Sequence, residues 1–193
     1  MSREDVTTLL HAYCNGDREA FNQLVPLVYQ DLRQIARRHL RRTQRGQTLD
    51  TTALVHEVYM KMVDQKKVSL KDRAHFLAVS ACAMRQVIVT HARARTAAKR
   101  GGGKEPVSLD EARIAIDRQA EKLLSLDESL TKLRERNERM AQVVECRFFA
   151  GLSEQETAEA LDISVRTAQR DWTRARAWLQ RDLSAAGPSP GPS

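Results

Sequence analysis

The chain has 193 residues, of which 41% are hydrophobic and 30% charged, a balance that excludes a wholly disordered polypeptide. Aromatic residues contribute only 5%, and 8 glycines and 5 prolines are few, which argues against a strand-rich fold. A formal net charge of +7 favours a polyanionic partner, whether nucleic acid, acidic membrane or acidic protein, and only the placement of the charges can choose among them.

Ala, Leu, Arg, Glu and Gln run throughout, and these are good helix formers, so the expected fold class is all-α. Cys14, Cys82 and Cys146 lie far apart, form no CxxC pair and are odd in number, which fits no closed disulfide framework. The opening stretch lacks the apolar core of a signal peptide, and no apolar run reaches the roughly eighteen residues that a membrane span needs. The expectation is a cytoplasmic, reduced protein with no membrane partner.

Val6, Leu9, Leu10 and Tyr13 recur at helical spacing, and Asn15-Gly16 ends that first helix. Asp17 then reads as the N-cap of a long amphipathic helix carrying Phe21, Leu24, Val28, Leu32 and Ile35, with a kink or break expected at Pro26. After a polar connection containing Gly46, Asp50 or Thr51 caps a helix with Leu54, Val55, Val58, Tyr59 and Met62 on its apolar face. A lysine-rich loop, Asp64 to Lys71, precedes a helix capped by Asp72 that carries Phe76, Leu77, Met84, Val87 and Ile88.

Lys99 to Pro106 contains three consecutive glycines and a proline and reads as a linker. The segment from Val107 to Gln119 is ambiguous between a short helix and mobile chain. A second helical unit is expected from Ala120, stopped at Gly151 and followed by two short helices, about 153–161 and 165–183. The organisation expected is two small helical domains, 1–100 and 121–183, joined by a flexible linker over 101–120, with a disordered Pro/Gly/Ser-rich tail at 184–193.

The C-terminal helices carry the sharpest signal. Ser153 with Glu156 three residues on forms a capping-box pattern. A sharp turn is required at Asp162, a residue that tolerates the left-handed conformation better than most. Ile163 plugs the corner, and Ser164 caps a helix with Val165, Ala168, Trp172, Ala175 and Leu179 on one face. The opposite face carries Arg166, Thr167, Gln169, Arg170, Thr173 and Arg174. A helix fits the DNA major groove, and Arg and Gln can read guanine and adenine edges there. A helix-turn-helix that binds DNA is therefore expected at the C-terminus of the chain.

Two segments without acids complete the basic pattern. One lies between Leu32 and Leu49 and holds Arg33, Arg37, Arg38, Arg41, Arg42 and Arg45. The other runs from Arg73 to Lys104 and holds Arg85, Arg93, Arg95, Lys99 and Arg100, with His91 as a further donor. Such segments suit phosphates, whose contacts position a protein on DNA, while Arg85 and Gln86 are candidates for touching bases.

Catalytic chemistry is not legible. Gly101-Gly102-Gly103 lacks the context of a phosphate loop, His56-Glu57 has no second histidine at metalloprotease spacing, and His11 and Cys14 are an isolated pair. No nucleophile, base and orienter assemble, so no enzyme activity, cofactor or metal is expected.

Residues Leu123 to Leu183, and most densely VVECRFFAGLSEQETAEALDISVRTAQRDWTRARAWL, resemble region four of sigma factors of the extracytoplasmic-function (ECF) class. GDREAFNQLVPLVYQDLRQIARRHL resembles the opening helices of region two, LDTTALVHEVYMKMVD its polymerase-clamp segment, and HFLAVSACAMRQVIVTHARARTAAKRGGG the helix that reads the downstream promoter element. The two matches cover most of the chain, in the right order. Asp162 departs from the family by replacing the usual turn glycine, and Ala168 by replacing a branched apolar residue.

The resemblance implies a sigma factor that binds core RNA polymerase and promoter DNA, with the C-terminal face on the −35 element. It places Lys66, Lys67, Arg73, Arg85, Gln86, His91, Arg93, Arg95, Lys99 and Arg100 toward the −10 element. It assigns polymerase contact to Asp50, Leu54, Glu57, Val58 and Tyr59; Leu54, Val58 and Tyr59 either supply apolar contact or belong to the core, and only Asp50 and Glu57 are acidic where many relatives carry several acids. The resemblance also admits an anti-sigma protein as a partner for these surfaces. The alternative is a helix-turn-helix regulator that never becomes a polymerase subunit.

Overall fold

The structure is a computed structural model describing residues 3–43, 50–64, 70–101 and 111–185. Among them the chain forms α1 (Arg3–Cys14), α2 (Arg18–Thr43), α3 (Thr51–Asp64), α4 (Arg73–Gly101), α5 (Glu111–Arg136), α6 (Glu138–Val144), a π-helical turn (Glu145–Ala150), α7 (Glu154–Leu161) and α8 (Val165–Ala185). No strand occurs among the described residues, so the chain is all-α as its composition requires.

The helix starts follow local chemistry. The Asp17 carboxylate accepts from the Glu19 and Ala20 amides, Asp50 from Ala53 at 2.7 Å, and Asp72 from His75 at 2.8 Å. Asp50 rather than Thr51 is thus the cap of α3. Of the kink or break expected at Pro26, the break does not occur: α2 runs through the proline from Arg18 to Thr43. The proline sits on the exposed face, while Leu24, Val28, Leu32 and Ile35 bury the opposite stripe and hold the helix through the missing hydrogen bond.

In the N-terminal half, α1 to α4 close around Leu10, Leu24, Val28, Leu54, Val58, Phe76 and Met84. Tyr13, Phe21 and Tyr59 stack in series, with ring centroids 4.6 and 5.3 Å apart. In the C-terminal half, Leu130, Leu133, Val143, Val144, Ala168 and Ala175 form the interior between α5, α6 and α8.

The halves meet. α4 packs against α5 and the π-helical turn, and buried residues of both halves form one contiguous apolar cluster. Arg38 of α2 donates through Nη1 to the Ala150 carbonyl at 2.9 Å, and His39 stacks on Phe149 with centroids 5.3 Å apart. Helix α4 runs on to Gly101, and α5 begins at Glu111 rather than near Ala120. The central part of the expected linker, 102–110, lies outside the described residues, as does the tail from 186.

Candidate nucleic-acid interface

At the C-terminal end the local geometry follows the residues closely. The Ser153 hydroxyl accepts from the Glu156 amide at 3.1 Å, and the Ser153 amide donates to the Glu156 carboxylate at 2.8 Å, a complete capping box. Asp162 closes α7 at φ 54°, ψ 49°, in the left-handed region. Ser164 then accepts from the Thr167 amide at 3.1 Å and starts α8. Replacing Asp162 by glycine should stabilise the chain by about 0.5–1 kcal/mol, because glycine adopts this conformation without a Cβ clash. Urea denaturation of the variant checks this, and a loss of stability would show that the Asp162 side chain contributes more than it costs.

Along α8, Ala168, Asp171, Ala175 and Leu179 are buried, while Arg166, Gln169, Arg170, Thr173 and Arg174 are exposed and Thr167 is half-buried. Gln169 donates to Glu154 of α7 at 2.6 Å, which holds its amide against the preceding helix. Arg166 and Arg174 are exposed and form no ion pair among the described residues. Val165 corrects the sequence reading: it is 40% exposed, because the first turn of α8 projects past the core.

Asp171 was invisible in sequence. It is 2% exposed and accepts from Arg139 Nε at 2.7 Å and more weakly from Arg170 Nε at 3.4 Å. It ties α6 to α8 and partly restrains Arg170. Trp172 is half-buried, with Arg147 and Arg176 over its ring at 5.8 and 5.1 Å.

The basic residues of the N-terminal half divide into groups. Gln86, His91 and Arg93 on α4 are exposed, and Arg95 is half-buried. His91 Nε2 lies 3.3 Å from Glu57, and Arg93 donates to Asp127 at 2.9 Å. Arg73, placed toward the −10 element by the resemblance, is bound to Asp31 at 2.5 Å. Lys66 and Lys67 lie outside the described residues, as do the side chains of Lys99 and Arg100.

Arg85 is the clearest departure. It is 6% exposed and donates to Asp127 of α5 and to Glu145 of the π-helical turn, the latter at 3.2 Å. Arg134 donates to the same Glu145 oxygen. In this packed arrangement Arg85 faces the other half of the chain rather than solvent. The signal was present in hindsight: Arg85 falls on the apolar stripe of Ala81, Met84 and Ile88, and Glu145 interrupts an apolar run.

On α3, Asp50 is exposed, Glu57 and Tyr59 are half-buried, and the Tyr59 hydroxyl hydrogen-bonds Asn22 at 3.2 Å. Leu54 and Val58, read as polymerase contacts, are 0% and 1% exposed. They belong to the inward stripe of α3 with Val55 and Met62, so their role is packing. Among the described residues, the large apolar side chain that this helix exposes is Met60, at 47%.

Burial pushes the Cys146 thiol up to about 12, and burial together with the neighbouring Glu145 carboxylate holds the Cys82 thiol well above the ordinary range. Both are therefore protonated, packed thiols at neutral pH. No metal-holding cluster occurs and no helix is long and apolar enough to cross a membrane among the described residues.

The family model described as ECF sigma factor matches residues 3–185. Among solved structures, that of CnrH in complex with the cytosolic domain of CnrY is similar at 23% identity, covering 94% of this chain and 98% of that one, with a TM-score of 0.40. No curated protein matches the chain.

Proposed function

We propose a division of labour within a chain that belongs to the ECF sigma factor family and hence serves transcription initiation as a promoter-directing partner of core RNA polymerase. The C-terminal unit, 121–183, holds the duplex −35 element with α7 and α8 as a helix-turn-helix. The N-terminal unit, 1–100, engages core polymerase and the −10 element from a cytoplasmic setting, and the segment 101–120 joins the two. The protein acts by binding and positioning, without chemistry of its own.

The observation that carries this reading is the exposed face of α8. Arg166, Arg170 and Arg174 line one side with Gln169, opposite Ala168, Ala175 and Leu179, and that face carries no acid. Guanidinium and amide groups in this spacing suit major-groove base edges flanked by phosphates. In the N-terminal unit, Gln86, His91 and Arg93 are the groups available to DNA as the chain stands, with Lys66, Lys67, Lys99 and Arg100 as further phosphate contacts. Arg85 joins them only when the halves separate. Asp50, Glu57, Tyr59 and the exposed Met60 form the polymerase-facing set on α3.

Run-off transcription with purified core polymerase on a library of promoter fragments tests the proposal. Promoter-specific transcripts that depend on the added chain are the expected result. DNA binding without polymerase association would instead favour a free-standing regulator. Binding should also be strongly salt-dependent, with log affinity falling against log salt at a slope of roughly −0.9 per phosphate neutralised. An affinity that ignores salt would remove the phosphate contacts from the reading.

A further inference from the structure

Between the two halves lies a cavity of about 520 Å³, walled by α4, α5, the π-helical turn and His39 of α2. Its volume falls within the range of small-molecule sites. Arg85, Arg118 and Lys122 face it beside His39, and among the described residues no carboxylate-bearing side chain lines it. Arg85 forms part of the wall, and its Nε is buried without a hydrogen-bond partner although both Nη atoms are engaged. Arg118 and Lys122, one helical turn apart on α5, are exposed at the rim and paired with no carboxylate among the described residues.

The surrounding charges do not cancel. Asp127 and Glu145 are shared by Arg85, Arg93 and Arg134, which leaves one positive charge before Arg118 and Lys122 are added. A buried donor without a partner and an unbalanced positive field both call for an anion. The rest of the lining is of the opposite character. Leu123, Leu126 and Phe149 present an apolar surface that a simple inorganic anion would leave uncovered.

We propose that this cleft binds an amphipathic anion, with its carboxylate or phosphate head on Arg118, Lys122 and Arg85 and its hydrocarbon body against Leu123, Leu126 and Phe149. Because such a ligand touches elements of both halves, it binds the packed arrangement more tightly than a separated one and draws the chain toward it. The site stands on its own geometry and does not depend on how the two halves divide promoter recognition.

The test uses the full chain and three probes of equal length, decanoate, decyltrimethylammonium and decanol, each kept below its micelle-forming concentration. Calorimetric titration and thermal unfolding are read for each. Decanoate should bind saturably with one site and raise Tm, while the cationic and neutral probes do neither. Charge reversal at the rim, R118E with K122E, should weaken decanoate by at least about tenfold, since two charge-assisted contacts are replaced by repulsion. Both residues are exposed, so the Tm of the ligand-free variant should match the parent. Arg136→Glu, at the far end of α5, is the control and should leave decanoate binding unchanged. Equal binding of all three probes, a fall in Tm with each of them, or full decanoate affinity in the R118E/K122E chain would overturn the proposal.

Discussion

Replacing Glu145 by Gln should destabilise the chain by about 3–5 kcal/mol, the effect expected when one member of a buried ion network is removed. Glu145 is 4% exposed and receives both Arg85 and Arg134. The amide keeps the shape of the side chain but loses the charge, so the buried Arg85 guanidinium keeps only Asp127 as a carboxylate partner. The chain has two ways to respond. It can retain the packed arrangement at that cost, or part the halves and let Arg85 regain water. Denaturant unfolding reads the first, and a rise in the radius of gyration by small-angle scattering reads the second.

A double substitution separates charge from packing. Arg85→Leu with Glu145→Leu should be far milder than the sum of the single changes, since removing both partners of a buried pair leaves less charge uncompensated. Gly151→Ala probes the same interface independently. Gly151 has φ 73°, and a Cβ there would lie 1.7 Å from Arg38 Nη1, the group that donates to Ala150. That variant should displace Arg38 and loosen the contact without altering Glu145. If Glu145→Gln leaves stability and dimensions unchanged, the network does not hold the halves together.

Arg166→Ala should lower affinity for the cognate −35 duplex by about ten- to a hundredfold, the roughly 1–3 kcal/mol of one bidentate base contact, and affect random duplex far less. Arg166 is exposed, lies in the first turn of α8 and pairs with no carboxylate among the described residues, so its removal should leave Tm nearly unchanged. Arg170→Ala is less clean. Its Nε lies 3.4 Å from the buried Asp171, so a small loss of stability should accompany the change in preference. Trp172→Ala provides the structural contrast: with Trp172 half-buried, its cost should fall toward the low end of the roughly 3–5 kcal/mol seen for aromatic truncations in cores. Melting temperature and affinity for cognate and random duplex, measured on all three variants, distinguish base reading from folding. Arginine variants that bind both duplexes with unchanged preference would remove Val165–Arg174 from the role of recognition helix.

Much of this molecule is local, and local features were legible from residues alone. The caps at Asp17, Asp72, Ser153 and Ser164 act on amides two or three residues away, and the left-handed turn at Asp162 is set by its own backbone. The helical period likewise separates Ala168, Ala175 and Leu179 from the exposed arginines of α8, because one face of a helix must be buried. Such signals lie within about four residues of one another, so a sequence read in order contains them. Tertiary structure decided everything that depends on which surfaces meet. Leu54 and Val58 became core rather than contact surface when α3 turned its apolar stripe inward. Arg73 was taken up by Asp31, and Arg85 by carboxylates of α5 and the π-helical turn. A run of basic residues without acids nearby in sequence reads as open to phosphate, yet an arginine can be neutralised by a carboxylate far along the chain. Charge pairing acts through space, and only the fold sets those distances.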